Sequence, residues 1–499
     1  MTEPRLSAEY EAKKDVKNVS DNGSNISSDE EEAIVKSQIA DESSHQIKYR
    51  SCSWQKTAAL LFSEYICLAV LSFPWSFSVL GLVPGIILTL VVAVCVLYTS
   101  LVLWRYCMKH PEIRDVCDIG QALFGGSKWA YNATAVFFLL NNTFIQALHV
   151  LVGAKLLNTL TNSAACTIAF SAVATVICFV FTLPRTLSEL SHLGLFSAVT
   201  MGIAVLLAII FAGVEDHPYR WTPGDDPIVT LWPVKGTTFV AGMSAFMNIT
   251  YTFVGQITLP SFIAEMKEPK DFPKALWAVS IAEMVVFTLC GALMYHWVGN
   301  QYMTAPAFGS LSPLYKKIAF SFAIPTIVFL GALYGSVTAR FLFFRIFKDS
   351  HHRYSNTTKG WATWVGIIAA NWAVAFVIAE VIPFFSDLLS LMCSLFGASP
   401  IPFPLSCLRD RRRLTGVLGT PADCWFGFIF WGLAYLTLYP GKARWAGAWR
   451  SAQTLLNYFI ILVGAFILVG GTYASVQSIV DSYRKSAYGS AFTCVSNAL

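Results

Sequence analysis

Cys67-Leu68-Ala69-Val70-Leu71-Ser72-Phe73-Pro74 and Phe253-Val254-Gly255-Gln256-Ile257-Thr258-Leu259-Pro260 share one pattern: small or polar residues ahead of an internal proline, inside a long apolar run. Each run has the length, about 20 residues, that a helix needs to cross the hydrocarbon core of a bilayer. Proline deletes a backbone donor and disfavours helical geometry in the residue before it, so both runs have a local reason to unwind. Amide donors at such a break suit a carboxylate, and carbonyl acceptors suit an ammonium. Two readings stay open: ordinary kinks, which membrane helices tolerate, or a matched pair of breaks holding a zwitterion near the midplane.

Working outward, the 499-residue chain is 55% hydrophobic and 13% charged, against roughly 25% charged in soluble domains. Lipid is the expected solvent, and the expected fold is an all-α polytopic membrane protein. Apolar spans are expected at about 55–80, 84–105, 129–157, 163–183, 190–214, 236–263, 273–298, 317–347, 360–382 and 454–480. Between Asp387 and Tyr439 an apolar run is interrupted by Pro400, Pro402, Pro404 and the string Arg409-Asp410-Arg411-Arg412-Arg413. Its two halves, joined, make one span, giving eleven helices with 399–422 inserted into the tenth; the competing count is twelve. Lys and Arg concentrate in alternate loops when the N-terminus is cytoplasmic, with Lys155, Lys316 and Lys317 as exceptions.

The net charge of +5 is spread between apolar runs and forms no basic stripe, which excludes a nucleic-acid partner. The 12 cysteines show no metal-ligand spacing and read as buried thiols, so neither metal nor cofactor is expected. Residues 1–50 are polar and read as a disordered cytoplasmic tail; residues 51–485 form the membrane domain and 486–499 a C-terminal tail. Ser27 and Ser28 precede Asp29-Glu30-Glu31-Glu32, so a kinase, and through the tail lysines a ubiquitin ligase, are conceivable partners. The sequons, Asn132 and Asn248 among them, map to cytoplasmic or intramembrane positions, where glycosylation is not expected.

Ionisable residues within spans cost several kcal/mol unless paired or hydrated, which makes each a candidate for moving charge. Glu64, ahead of the first break, is the leading proton carrier, followed by Glu283 and His149; Glu380 and His296 are weaker. Glu189 and Glu265 sit near the cytoplasmic ends of their spans, where solvated or gate-forming pairs are expected rather than proton carriers. Beside the breaks (Cys67, Leu68, Ala69, Val70, Leu71, Ser72; Phe253, Val254, Gly255, Gln256), polar residues of the third and eighth spans supply pocket walls: Asn142 and Gln146, then Tyr334. Asn141, Ser336 and Thr338 are similar, and each also fits helix–helix glue. Phe73 and Trp75 fit either an apolar pocket or a lipid face, and Gly331 with Gly335 fits close packing in either a rocking or a static bundle.

The stretch Leu259-Pro260-Ser261-Phe262-Ile263-Ala264-Glu265-Met266-Lys267-Glu268-Pro269-Lys270-Asp271-Phe272-Pro273-Lys274-Ala275 resembles the amino acid/auxin permease signature after its sixth helix. Asp118-Ile119-Gly120, Glu64 through Pro74, Asn457-Tyr458-Phe459 and Gly471-Thr472-Tyr473-Ala474 add to the likeness, which runs from about residue 50 to the C-terminus. Within the family it resembles the fungal neutral amino acid permeases. The resemblance implies an eleven-helix, LeuT-like fold of two inverted five-helix repeats with discontinuous helices 1 and 6, and proton-coupled uptake of amino acids. Two departures stand out. Cys67 and Ala69 occupy positions where the family usually has glycine, and residues 399–422 interrupt a helix that the family runs through, in the manner of a retained intron or a gene-model error.

The expected function is therefore a secondary active transporter that symports neutral amino acids with protons, sodium not being excluded as the driving ion. The expected location is the plasma membrane. The rivals are a vacuolar exporter of the same fold, a sensor that no longer transports, and a membrane-embedded enzyme. The enzyme is disfavoured because His351-His352 is the closest approach to a catalytic cluster.

Overall fold

The computed structural model describes residues 50–499 except 51, 186, 349, 354, 383–387, 390–391, 393–424 and 485–491. The N-terminal tail, the 399–422 insertion and the side chain of Glu189 lie outside the described residues. Among the described residues the architecture is helical, with an isolated bridge between Cys52 and Met266.

Among the described residues eight helices are long and apolar enough to cross a membrane, and the split α6 with the shorter α4 and α10 brings the series to eleven. Helix α1 is split into α1a (Trp54–Tyr65) and α1b (Phe73–Leu80), and α6 into α6a (Phe239–Phe253) and α6b (Leu259–Glu265). The others are α2 (Leu82–Lys109), α3 (Lys128–Thr161), α4 (Thr167–Phe181), α5 (Leu187–Val214), α7 (Phe272–Tyr302), α8 (Ile324–Ile346), α9 (Thr358–Val381), α10 (Phe430–Leu438) and α11, which runs from Ala448 to Arg484 through a π-helical turn at Ile467–Gly471. Helix α8 begins later than its hydropathy implies. Pro325 opens its first turn, where the missing N–H costs nothing, and the preceding residues form a separate helix, Pro313–Ser321.

The helices sort into two groups by contact. In the first, α1 touches α2, α6 and α7, and α2 also packs on α6 and α7; in the second, α3, α4, α8 and α9 each touch the other three. The polar ties agree. Within the second group, Asn371 Nδ2 donates to Gln146 Oε1 at 2.8 Å, Thr143 Oγ1 to Asn371 Oδ1 at 2.9 Å, and Trp372 Nε1 to Thr182 Oγ1 at 3.1 Å. Within the first, Phe73 is fully buried among Phe77, Phe253 and Phe287, with centroids 5.0 Å from Phe287 and 6.0 Å from Phe253. Phe73 thus faces neither pocket nor lipid. Outward faces stay apolar, with Val94, Val176, Val199, Val374 and Leu462 exposed, as lipid contact requires.

The cysteine reading needs correction. Cys166, between α3 and α4, is disulfide-bonded to Cys494 beyond α11; a pairing across 328 residues leaves no local sequence signal. It also fixes parity. Two residues joined by a disulfide lie on one side of the membrane, so an even number of crossings separates them. Helices α4 to α11 supply eight, consistent with eleven helices and inconsistent with twelve.

Eleven crossings place the two ends of the chain on opposite faces. Epitope tags fused at the N- and C-termini should therefore never both be antibody-accessible in intact cells, and both should become so after permeabilisation. Accessibility of both tags without permeabilisation would refute the count.

Candidate substrate site between two broken helices

Helix α1a ends at Tyr65; Ile66 and Cys67 leave helical geometry (φ −82°, ψ 73° and φ −112°, ψ −179°), and Leu68–Ser72 form a 3₁₀ turn before α1b. Helix α6a ends at Phe253, Val254 turns away (φ −89°, ψ 88°), and α6b starts at Leu259. Both breaks exist, but the prolines do not sit at them. Pro74 and Pro260 occupy the first turn of the second half-helix, where a missing N–H is no loss, and Phe73 before Pro74 is helical. The prolines prescribe where each helix restarts, not where it stops.

Close approach of the two breaks depends on Gly255. A Cβ there would lie 2.6 Å from Cζ of Tyr65, well inside contact distance. Between the breaks lies a cavity of about 50 Å³, room for a few water molecules. Cys67 and Ala69 line it from the first break, Val254 and Gly255 from the second, and Tyr334 from α8. Its remaining wall is mostly apolar: Ile145 and Leu148 of α3, Leu330 of α8, and Leu389.

Among the described residues one acid lines this cavity. Glu64 is 5% exposed; its Oε1 accepts hydrogen bonds from Thr258 Oγ1 and Tyr334 OH, both at 2.7 Å, while its Oε2 is buried without a hydrogen-bond partner among the described residues. The carboxylate thereby joins α1 to the α6 break and to α8. Glu283, on α7, which packs against α1a, is also buried, with one oxygen lacking a hydrogen-bond partner among the described residues. His149 lines the cavity from α3, its Nδ1 2.7 Å from the carbonyl of Ile145. A carbonyl only accepts, so Nδ1 carries the hydrogen and Nε2 is left for other partners.

Other expected site residues point elsewhere. Gln256 Nε2 donates to the Val96 carbonyl at 3.2 Å and to Thr99 Oγ1 at 2.5 Å, tying the α6 break to α2. Gln146 donates to the Asn142 carbonyl at 3.1 Å and accepts from Asn371, so this polar stripe joins α3 to α9. Leu68, Val70, Leu71 and Ser72 are buried in the turn itself, where Ser72 Oγ donates to the Ala69 carbonyl at 2.7 Å; Phe253 belongs to the aromatic cluster. His296 is exposed on α7 and away from the cavity, and Glu265 pairs with Arg340 of α8, both buried. Thr258, Tyr251, Thr252 and the rest of the α3 stripe that carries His149, Ile145 and Leu148, escaped the sequence reading. Thr258 stands two residues before the quoted proline, and the stripe has plain helical spacing.

The family model described as "Transmembrane amino acid transporter protein" matches residues 50–409. The chain belongs to that family. Family members are transporters and not enzymes, and the chain is accordingly a polytopic membrane protein of the amino acid transporter class. Among its relatives, the N amino acid transport system protein of Neurospora crassa is 31% identical over 449 residues, 90% of this chain and 89% of that one. A transmembrane transporter of Gibberella moniliformis is 27% identical over 97% of this chain and 96% of its own. Two solved structures resemble it with a TM-score of 0.48. Mhp1, a nucleobase-cation-symport-1 family transporter in a closed conformation with bromovinylhydantoin bound, is 14% identical over 88% of this chain and 93% of its own. MhsT in complex with L-phenylalanine is 12% identical over 87% and 100%.

Overpacking a tight contact costs about 1–3 kcal/mol. Gly255→Ala should therefore cut uptake per molecule at the cell surface by about tenfold or more, and Tyr65→Leu in the same chain should restore part of it. Wild-type uptake by Gly255→Ala would mean the breaks need not approach so closely.

Proposed function

We propose that this chain is a proton-coupled symporter of neutral amino acids that works by alternating access around the α1 and α6 breaks. The observation that carries the reading is Glu64, a buried carboxylate at the cavity between two helix breaks, with one oxygen held by α6 and α8 and the other unpartnered. An ionised carboxylate so placed is costly unless its free oxygen gains a partner. A proton, or the ammonium of a substrate, supplies one.

Backbone groups of Cys67, Ala69, Val254 and Gly255 suit the two ends of a zwitterion, and the apolar wall from Ile145, Leu148, Leu330 and Leu389 suits an uncharged side chain. Protonation of the free oxygen of Glu64 removes the charge that strengthens the bonds its Oε1 accepts from Thr258 and Tyr334, and so loosens the fit of α1 and α6 against α8. Glu283 and His149 are the neighbours best placed to exchange that proton. A disulfide favours an oxidising exterior, which agrees with a plasma-membrane site, a cytoplasmic N-terminus, and a tail at 1–50 open to a kinase or ubiquitin ligase.

With one proton carried per substrate, accumulation should rise about tenfold for each pH unit of imposed gradient. Glu64→Gln should flatten that dependence while leaving protein at the surface and exchange of substrate measurable. An unchanged pH profile in Glu64→Gln would assign coupling to another group. Competition of labelled uptake by charged and neutral amino acids at two pH values tests the substrate class: only neutral ones should compete.

A further inference from the structure

Beyond α11 the chain returns to the membrane surface and is fastened at several points. Cys494 is bonded to Cys166; Thr167 Oγ1 donates to the Val495 carbonyl at 2.8 Å, and Asn158 Nδ2 to Asn497 Oδ1 at 2.8 Å. Ser163 and Ser496 share a hydrogen bond, and Leu499 N donates to Thr159 Oγ1 at 3.1 Å. These anchors all lie on the end of α3 and the start of α4. The tail then reaches a different element: Lys316 Nζ, on the Pro313–Ser321 helix, donates to the Leu499 main-chain oxygen at 2.8 Å.

That helix belongs to the segment between α7 and α8, which reaches the first break. It packs on α3 and α5 and on the short turn Ala307–Ser310, and that turn rests against the Leu68–Ser72 turn of the α1 break. Lys317 adds a bond to Asn162 at 2.7 Å. A continuous chain of contacts therefore runs from the disulfide, through Leu499 and Lys316, to the backbone that lines the cavity.

We propose that residues 492–499 are a strap, locked to α3 and α4 by the Cys166–Cys494 disulfide, which holds the 303–323 segment shut over the substrate site. Opening on that face requires the segment to part from α3, and the strap opposes the separation. The inference rests on the alternating-access reading for its consequence in uptake, but not for the position of the lid, which is read separately.

Phe308, fully buried in the turn over the break, is the reporter: Phe308→Cys is labelled with a membrane-impermeant thiol reagent in intact cells. Reducing the disulfide in folded protein with an impermeant phosphine yields two thiols, and the phosphine becomes its oxide with oxygen from water. Labelling of Phe308→Cys should then accelerate about tenfold or more, the scale of one lost hydrogen bond to a charged group. Lys316→Met, which leaves the disulfide intact, should have a similar effect, so misfolding of cysteine variants does not decide the matter. Faster labelling in protein that lacks uptake altogether would sustain the strap and count against transport. Unchanged labelling in both arms, with reduction verified by alkylation of Cys494, would overturn it.

Discussion

In lipid a backbone amide has no solvent partner, so a helix can be interrupted only where the interruption is wrapped in protein. That constraint organises this structure. The α1 and α6 breaks sit against each other, with Gly255 allowing the ring of Tyr65 to close over the second break. Helices α3 and α8 screen the remaining sides. Prolines open the second half-helices without losing a hydrogen bond, and in the first break a hydroxyl satisfies a local carbonyl, Ser72 on Ala69. Polar backbone thus survives at membrane depth because it lines a cavity, and that cavity is where a polar solute can be held.

The same requirement explains where charge is tolerated. Two acids of the first helix group meet the second group, and both do so on α8: Glu64 at Tyr334 and Glu265 at Arg340. They lie at different depths, one at the breaks and one at the end of α6b. Near the second, Cys52 N donates to the Glu265 carbonyl at 3.1 Å and Lys267 N to the Cys52 carbonyl at 2.9 Å, closing that face with main-chain bonds. Elsewhere each group is held by internal ties, aromatic in one and amide and hydroxyl in the other. Strong cohesion within groups and few polar ties between them is the mechanical condition for one group to move against the other.

The fold was largely legible in the sequence because lipid enforces length and composition on every crossing, and the breaks announced themselves through Pro74 and Pro260. The restart of each half-helix was readable; the stop was not, since Ile66 and Val254 yield to packing between segments nearly 200 residues apart. Glu64 stood out as a charge in an apolar run. Its partners did not, because Thr258 and Tyr334 are ordinary residues until the fold brings them to one oxygen. The amides of α3 misled for a related reason: a buried amide needs a partner whether or not a ligand is near, and Gln146 finds Asn371 instead of the cavity. The Cys166–Cys494 bond was beyond reach, as no periodicity links a loop to a tail.

Helix α8 shows how the two groups can be both tightly packed and separable. Its small residues Gly331 and Gly335 do not face the seam with α1 and α6. A Cβ at Gly331 would meet Trp372 at 3.0 Å and Cys178 at 3.1 Å, and one at Gly335 would meet Thr182 at 2.9 Å, so this face is keyed into α4 and α9. The opposite demand falls on Tyr334 and Arg340, long side chains that reach acids of α1 and α6 by hydrogen bonds at their tips. Interlocked backbones resist sliding, because any shift forces atoms into overlap, whereas tip contacts can be released and remade by a proton or a water. One helix therefore carries both kinds of contact, and the position of its glycines assigns α8 to the stationary group against which α1 and α6 rearrange in the proposed cycle.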